Sequence, residues 1–161
     1  MTDTEHADVL LIGASCGLGL AIAAEYLARG SRVVATVRGD GHTALHDLRD
    51  GAGGRLEIEH VDITDPARVE ALRERLTGRV FDLLFVNAGI TNVPEETSAD
   101  VSTEVFTRLM VINALSPLRV VEALGDLVPA DGTIAVMSSG QGSVANNERG
   151  GFEVHRARSR R

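Results

Sequence analysis

Three glycines, Gly13, Gly17 and Gly19, fall within the segment IGASCGLG at residues 12–19. Between a strand and a helix, such a segment supplies what a pyrophosphate needs. The chain turns tightly, the backbone approaches the anion without a Cβ in the way, and the helix begins with free N–H groups facing it. Ser15, Cys16 and Leu18 occupy the positions between the glycines and belong to the same candidate anion-facing loop. Glycine-rich turns also occur with no ligand at all, so the reading depends on the elements on either side.

Those elements are legible from pattern. DVLLI (8–12) is a short apolar run ended by glycine, as expected of a strand buried on both faces. LGLAIAAEYLARG (18–30) reads as a helix closed by Gly30. The β-branched RVVATV (32–37) gives a second strand, a short helix is expected over about 42–50, and LEIEHV (56–61) alternates like a third strand. The next helix has Asp65 as N-cap, Pro66 in its first turn, and Val69, Leu72 and Leu76 along one face before Gly78. FDLLFV (81–86), a long helix over about 102–124 and TIAVM (133–137) complete the series. Strands separated by helices at this spacing make βαβ units, so the expected fold class is α/β, a doubly wound parallel sheet with helices on both faces.

Composition narrows the function classes. A chain of 161 residues with 43% hydrophobic and 24% charged residues is a single globular domain. Its net charge of −7 argues against nucleic acid or an anionic membrane as the main partner. One cysteine excludes an internal disulfide, and His6, His42, His46 and His60 lack metal-ligand partners at recognisable spacing. The acidic start MTDTEHAD does not read as a signal peptide, which makes a cytoplasmic protein the expectation. All 16 basic residues are arginine; there is no lysine.

The spacing G-x-x-x-G-x-G resembles the short-chain dehydrogenase/reductase family. VDITD (61–65), VNAGI (86–90), VINALSP (111–117) and VMSSGQGS (136–143) agree with it in order and spacing, and the resemblance runs from Val9 to about His155. It implies a Rossmann-type NAD(P)-binding domain over residues 1–155, followed by an arginine-rich tail, 156–161. It also implies a hydride transfer between nicotinamide and a small carbonyl or alcohol substrate. In this family an acid at the end of the second strand selects NAD(H). Val37 stands there and Arg38 follows, so NADP(H) is expected in preference to NAD(H), with the guanidinium on the 2′-phosphate. The bland alternative for Arg38 is a solvated loop residue.

By the same resemblance, Asp62 and Ile63 stand beside the adenine, although Asp62 also reads as a strand-end cap. Asn87, Ala88 and Gly89 lie under the cofactor. Pro117, which has no N–H, deprives the Asn113 carbonyl of its helical partner, so a bend is expected there with an acceptor left for an ordered water. The family's water relay fits that asparagine, and an ordinary proline kink is the alternative. Ser139 resembles the serine that hydrogen-bonds the substrate carbonyl, with Ser138 as the other candidate. Ile12 replaces a threonine frequent in relatives, so a hydroxyl that steadies the glycine turn is expected to be missing.

The departures concern the acid. The family's tyrosine and the lysine four residues later are replaced by His155 and Ser159, and the sole tyrosine, Tyr26, falls in the first helix. A histidine titrates in a useful range and is a candidate proton donor, but Ser159 brings no cation. Weak or absent turnover is therefore expected, the alternative being a non-catalytic NADP(H)-binding module that acts as sensor or partner subunit. Family members continue beyond this length, so the fifth strand is expected to be a sheet edge, and a homo-oligomer remains open. The switch to RARSRR after His155 reads as an out-of-frame ending or as a natural basic tail.

Overall fold

The computed structural model describes residues 6–91 and 99–139. Five strands, β1 (Asp8–Ile12), β2 (Arg32–Val37), β3 (Leu56–His60), β4 (Leu83–Val86) and β5 (Thr133–Val136), form one sheet in the order β3-β2-β1-β4-β5. Every pairing is parallel; Leu10, for example, is flanked by Val34 and Leu84. The helices are α1 (Gly17–Ala28), α2 (Ala44–Asp50), α3 (Pro66–Arg75), α4 (Thr103–Met110) and α5 (Ser116–Leu124).

The alternation of side chains along β1 divides the core in two. Leu10 and Ile12 pack with Val69 and Leu72 of α3 and with Val120 and Leu124 of α5. Val9 and Leu11 pack on the opposite face with Ala23 and Leu27 of α1 and with Leu45 of α2. Val9 through Ile12 have no exposed surface, as an apolar run in the centre of a parallel sheet requires. Tyr26 is half-buried in the second of these clusters, a packing residue.

Local signals account for the helix ends. The Asp65 carboxylate accepts from the Ala67 N–H at 3.0 Å to cap α3, and Gly30 and Gly78 close α1 and α3 at φ +87° and +80°. The expected helix over 102–124 is not a single α-helix. Between α4 and α5, residues Val111–Leu115 form a π-turn, in which the Ser116 N–H donates to the Val111 carbonyl five residues back. Pro117 follows at once. With one donor missing, the chain takes up the irregularity as an inserted residue.

β5 is an edge of the described sheet, as expected. Ile134, Val136 and Met137 are 43%, 46% and 40% exposed. None of the described helices is long and apolar enough to cross a membrane.

Candidate cofactor-binding site

Chain order reverses about β1, which has β2 on one side and β4 on the other. Loops leaving the carboxyl ends of these strands diverge there and open a cleft. Its volume is about 1070 Å³. The floor is Gly13, Ser15 and Cys16, with Asn87, Ala88 and Gly89 beside them; Val37, Arg38, Asp62 and Ile63 make one wall, and Thr107 and Arg108 of α4 with Val111 of the π-turn the other. The structure thus brings together most of the residues expected from sequence. Gly17, Leu18, Gly19, Asn113 and Ser139 stand outside the lining.

The glycines of the turn serve different ends. Gly13 has φ +92°, and a Cβ there would lie 2.7 Å from the Ala88 Cα. A Cβ on Gly19 would lie 2.1 Å from the Gly13 carbonyl oxygen. Both are glycine because the turn, the start of α1 and the end of β4 crowd one another. This corrects the expectation that all three keep a Cβ away from an anion. Gly17 alone faces open space, at φ +57°.

Hydrogen bonds fix this crowded junction. The Ile12 carbonyl accepts from the N–H groups of both Asn87 and Ala88, each at 2.9 Å. The Asn87 side-chain amide donates to the Gly13 carbonyl at 2.8 Å. On the other flank the Gly13 N–H donates to the Thr36 hydroxyl at 2.9 Å, and the Ala14 N–H to the Thr36 carbonyl at 2.8 Å. Thr36 is buried. A hydroxyl does steady the turn, from the neighbouring strand rather than from position 12. The pairing of β1 with β2 across Leu11 and Ala35 places Thr36 there, which local sequence does not reveal.

The first turn of α1 keeps its donors available. Cys16, the N-cap residue, makes no side-chain cap bond, and the first turn carries no acid. The amide-rich turn with its unfilled helix start fits a diphosphate.

Asp62 is half-buried at the end of β3. Its carboxylate accepts from the Thr64 hydroxyl at 2.7 Å and the Thr64 N–H at 2.9 Å. These two bonds, with smaller contributions from Arg38 and Arg68, hold it below the usual aspartate range. Asp62 thus caps the chain as it leaves β3 and lines the cleft wall at the same time. Arg38 is exposed, with no hydrogen bond or ion pair to another described residue.

Asn113 sits in the π-turn. Its side chain spans the backbone of Ile90: the Ile90 N–H donates to Oδ1 at 2.8 Å, and Nδ2 donates to the Ile90 carbonyl at 2.9 Å. This clamp ties the segment after β4 to the helix. The Met137 N–H donates to the Val86 carbonyl at 2.8 Å and extends the β4–β5 pairing, carrying the chain to an exposed Ser138 and a half-buried Ser139. His155, Ser159 and the arginine-rich tail lie outside the described residues. Missed from sequence were Thr36, Thr43, Thr107 and Arg108; the last two follow Thr103 and Glu104 at i, i+4 along α4, and only the topology turns those rows to the cleft.

A five-stranded parallel sheet in this order, with a pinned glycine turn at its switch point, defines a doubly wound nucleotide-cleft fold. The family model for short chain dehydrogenases matches residues 7–152, and the chain belongs to that family of oxidoreductases. Among solved structures, a short-chain dehydrogenase/reductase from Burkholderia multivorans with bound NADP is 56% identical. It superposes with a TM-score of 0.92 over 96% of this chain and 68% of its own. A carbonyl reductase from Pseudomonas aeruginosa PAO1 in complex with NADP is 34% identical, with a TM-score of 0.88 over 95% of this chain and 70% of its own. The 1-hydroxy-2-glutathionyl-2-methyl-3-butene dehydrogenase of Rhodococcus sp. (strain AD45) is 32% identical over 92% of this chain. The chain spans 63% of the length of that relative.

Proposed function

We propose that the chain binds NADP(H) in this cleft, in preference to NAD(H), and that its parent reaction is carbonyl reduction or alcohol oxidation on a small molecule. The observation that carries the cofactor preference is the wall at the end of β2, where a buried Val37 is followed by an exposed Arg38 without a described partner. A valine offers nothing to ribose hydroxyls, whereas a free guanidinium suits a phosphate. The NADP in two similar structures supports the same choice.

In this reading the amides of the turn and of the α1 start hold the diphosphate. Arg38 holds the 2′-phosphate, Asp62 and Ile63 flank the adenine, and Asn87–Gly89 lie under the ribose. The cofactor supplies the hydride; the chain supplies its orientation. Asn113 and Ser139 are assigned to the substrate end, and His155 is the remaining candidate proton donor. With Tyr26 packed in α1 and no lysine in the chain, turnover is weak or absent. A non-catalytic module that binds NADP(H) as sensor or partner subunit is the second reading, favoured by that same missing pair.

Fluorescence titration with NADPH and NADH tests the preference. Arg38→Asp is expected to weaken NADPH roughly tenfold or more while sparing NADH; equal loss of both overturns the assignment. Aldehyde and ketone reduction, compared with the His155→Tyr, Ser159→Lys double variant, separates the two readings. Robust turnover by the unaltered chain would refute the missing-acid account.

A further inference from the structure

The sheet has two edges, and the sequence treats them differently. β3, at one edge, carries Glu57 and Glu59, which pair with Arg79 and Arg75. Charges of this kind discourage a further strand from adding to an edge. β5, at the other edge, opens the run TIAVM (133–137), which has no charged residue and no proline. A strand apolar on both faces belongs inside a parallel sheet. Ile134, Val136 and Met137 are nevertheless exposed.

The pairing with β4 shows which backbone groups of β5 face outward. The N–H groups of Thr133 and Met137 donate to the Asp82 and Val86 carbonyls, each at 2.8 Å, and Ala135 lies between them in register with Phe85. Successive residues of a strand turn their backbone groups to opposite sides, so those of Ile134 and Val136 point away from β4. No described residue pairs with them. One face of this edge already has a flanking helix: a Cβ on Gly125, at the end of α5, would lie 3.5 Å from the Ile134 Cδ1.

We propose that β5 is a docking edge for a sixth, parallel strand donated by a second polypeptide, with Ile134 and Val136 as the residues whose backbone receives it. In a doubly wound sheet of order 3-2-1-4-5 the next place is beside the fifth strand. The matches to the Burkholderia multivorans and Pseudomonas aeruginosa structures take in 68% and 70% of those chains, so about a third of each lies outside the match. A segment of that kind, as a separate polypeptide, is the occupant. A second copy of this chain suits the edge less well. Two-fold pairing would set the two β5 strands antiparallel and bring together two chains of net charge −7. The proposal gives the partner-subunit reading a contact surface, and it is independent of the cofactor assignment because β5 stands outside the cleft lining.

Amide hydrogen exchange followed by NMR tests it. In the chain alone, the Ile134 and Val136 amides should exchange about tenfold or more faster than those of Ala135 and Met137. The chain is then co-expressed with the part of the Burkholderia multivorans relative outside the match, made as a separate polypeptide. A one-to-one complex should form in which the Ile134 and Val136 amides slow about tenfold or more. Val136→Pro removes an outward donor and no bond to β4, so it should leave the melt of the chain alone nearly unchanged while weakening the complex roughly fivefold to tenfold. Ile134→Lys, which puts a charge on the edge, should weaken it as well. Slow exchange at Ile134 and Val136 in the chain alone overturns the proposal; sedimentation as a dimer would then name a second copy as the cover, and as a monomer the chain's own residues. A segment that does not co-purify, or that binds both variants as well as the unaltered chain, overturns it too. None of these readouts depends on NADPH, so the cofactor assignment stands or falls by its own titration.

Discussion

The two sides of β1 are built to different standards. Toward β2 and the end of β4 the turn at Gly13 is held by Thr36 and Asn87, and a single added methyl group collides with backbone. Toward β5 the sheet ends in a strand whose large side chains, Ile134 and Val136, are almost half exposed, and α5 presents Leu118 at 50% exposure. The difference teaches that the glycine turn is a tightly packed unit whose partners all fall within the first 90 residues. The β5 flank has apolar surface still uncovered among the described residues.

Four measurements sharpen or break this contrast. The largest effect is expected in the shared core. Leu84→Ala, at a position with no exposed surface, should lower unfolding stability by about 2–5 kcal/mol, whereas Ile134→Ala on the edge should cost less than about 1 kcal/mol. Similar losses in urea titrations would show that β5 is covered in solution. Next, Gly19→Ala places a methyl group 2.1 Å from the Gly13 carbonyl oxygen. It should cost roughly 1–3 kcal/mol and weaken NADPH binding, while Gly125→Ala, beside only the end of the Ile134 side chain at 3.5 Å, should be near neutral.

Thr36→Val keeps the shape but removes the acceptor for the Gly13 N–H, at an expected cost of about 1–2 kcal/mol. A neutral result would mean that Asn87 alone secures the turn. The smallest effect concerns Asp62. Its folded pKa lies below the unfolded value because Thr64 donates twice to its carboxylate. The stability it contributes is therefore present above about pH 4 and is lost as pH falls through the folded value. Melts of the unaltered chain should fall more steeply below pH 4 than those of Asp62→Asn; parallel curves would show that Thr64 adds nothing.

Much of this was visible in the residues themselves. Strand β2 at 32–37, the Asp65 cap, and the grouping of Gly13, Arg38, Asp62 and Asn87 follow from local apolar pattern and motif order. What escaped was long-range. Thr36 looks like one more β-branched strand residue until β2 is laid beside β1. The crowding at Gly19 depends on Asn87, 68 positions further along the chain. The clamp of Asn113 on Ile90 and the π-turn around it need the helix to be docked before either has meaning. The kink expected from Pro117 named the right place but not the right form, since a missing N–H permits either a bend or an inserted residue.

That inserted residue sets a phase. Each residue of an α-helix advances the side chains by roughly 100°, so one extra position before Ser116 turns the whole of α5 relative to α4 by about that angle. Deleting one residue between Val111 and Leu115 would leave composition and hydropathy almost untouched. It would swing Val120 and Leu124 out of the core and disturb the Asn113 clamp on the Ile90 backbone, so the chain should tolerate most point changes there better than the loss of any single position.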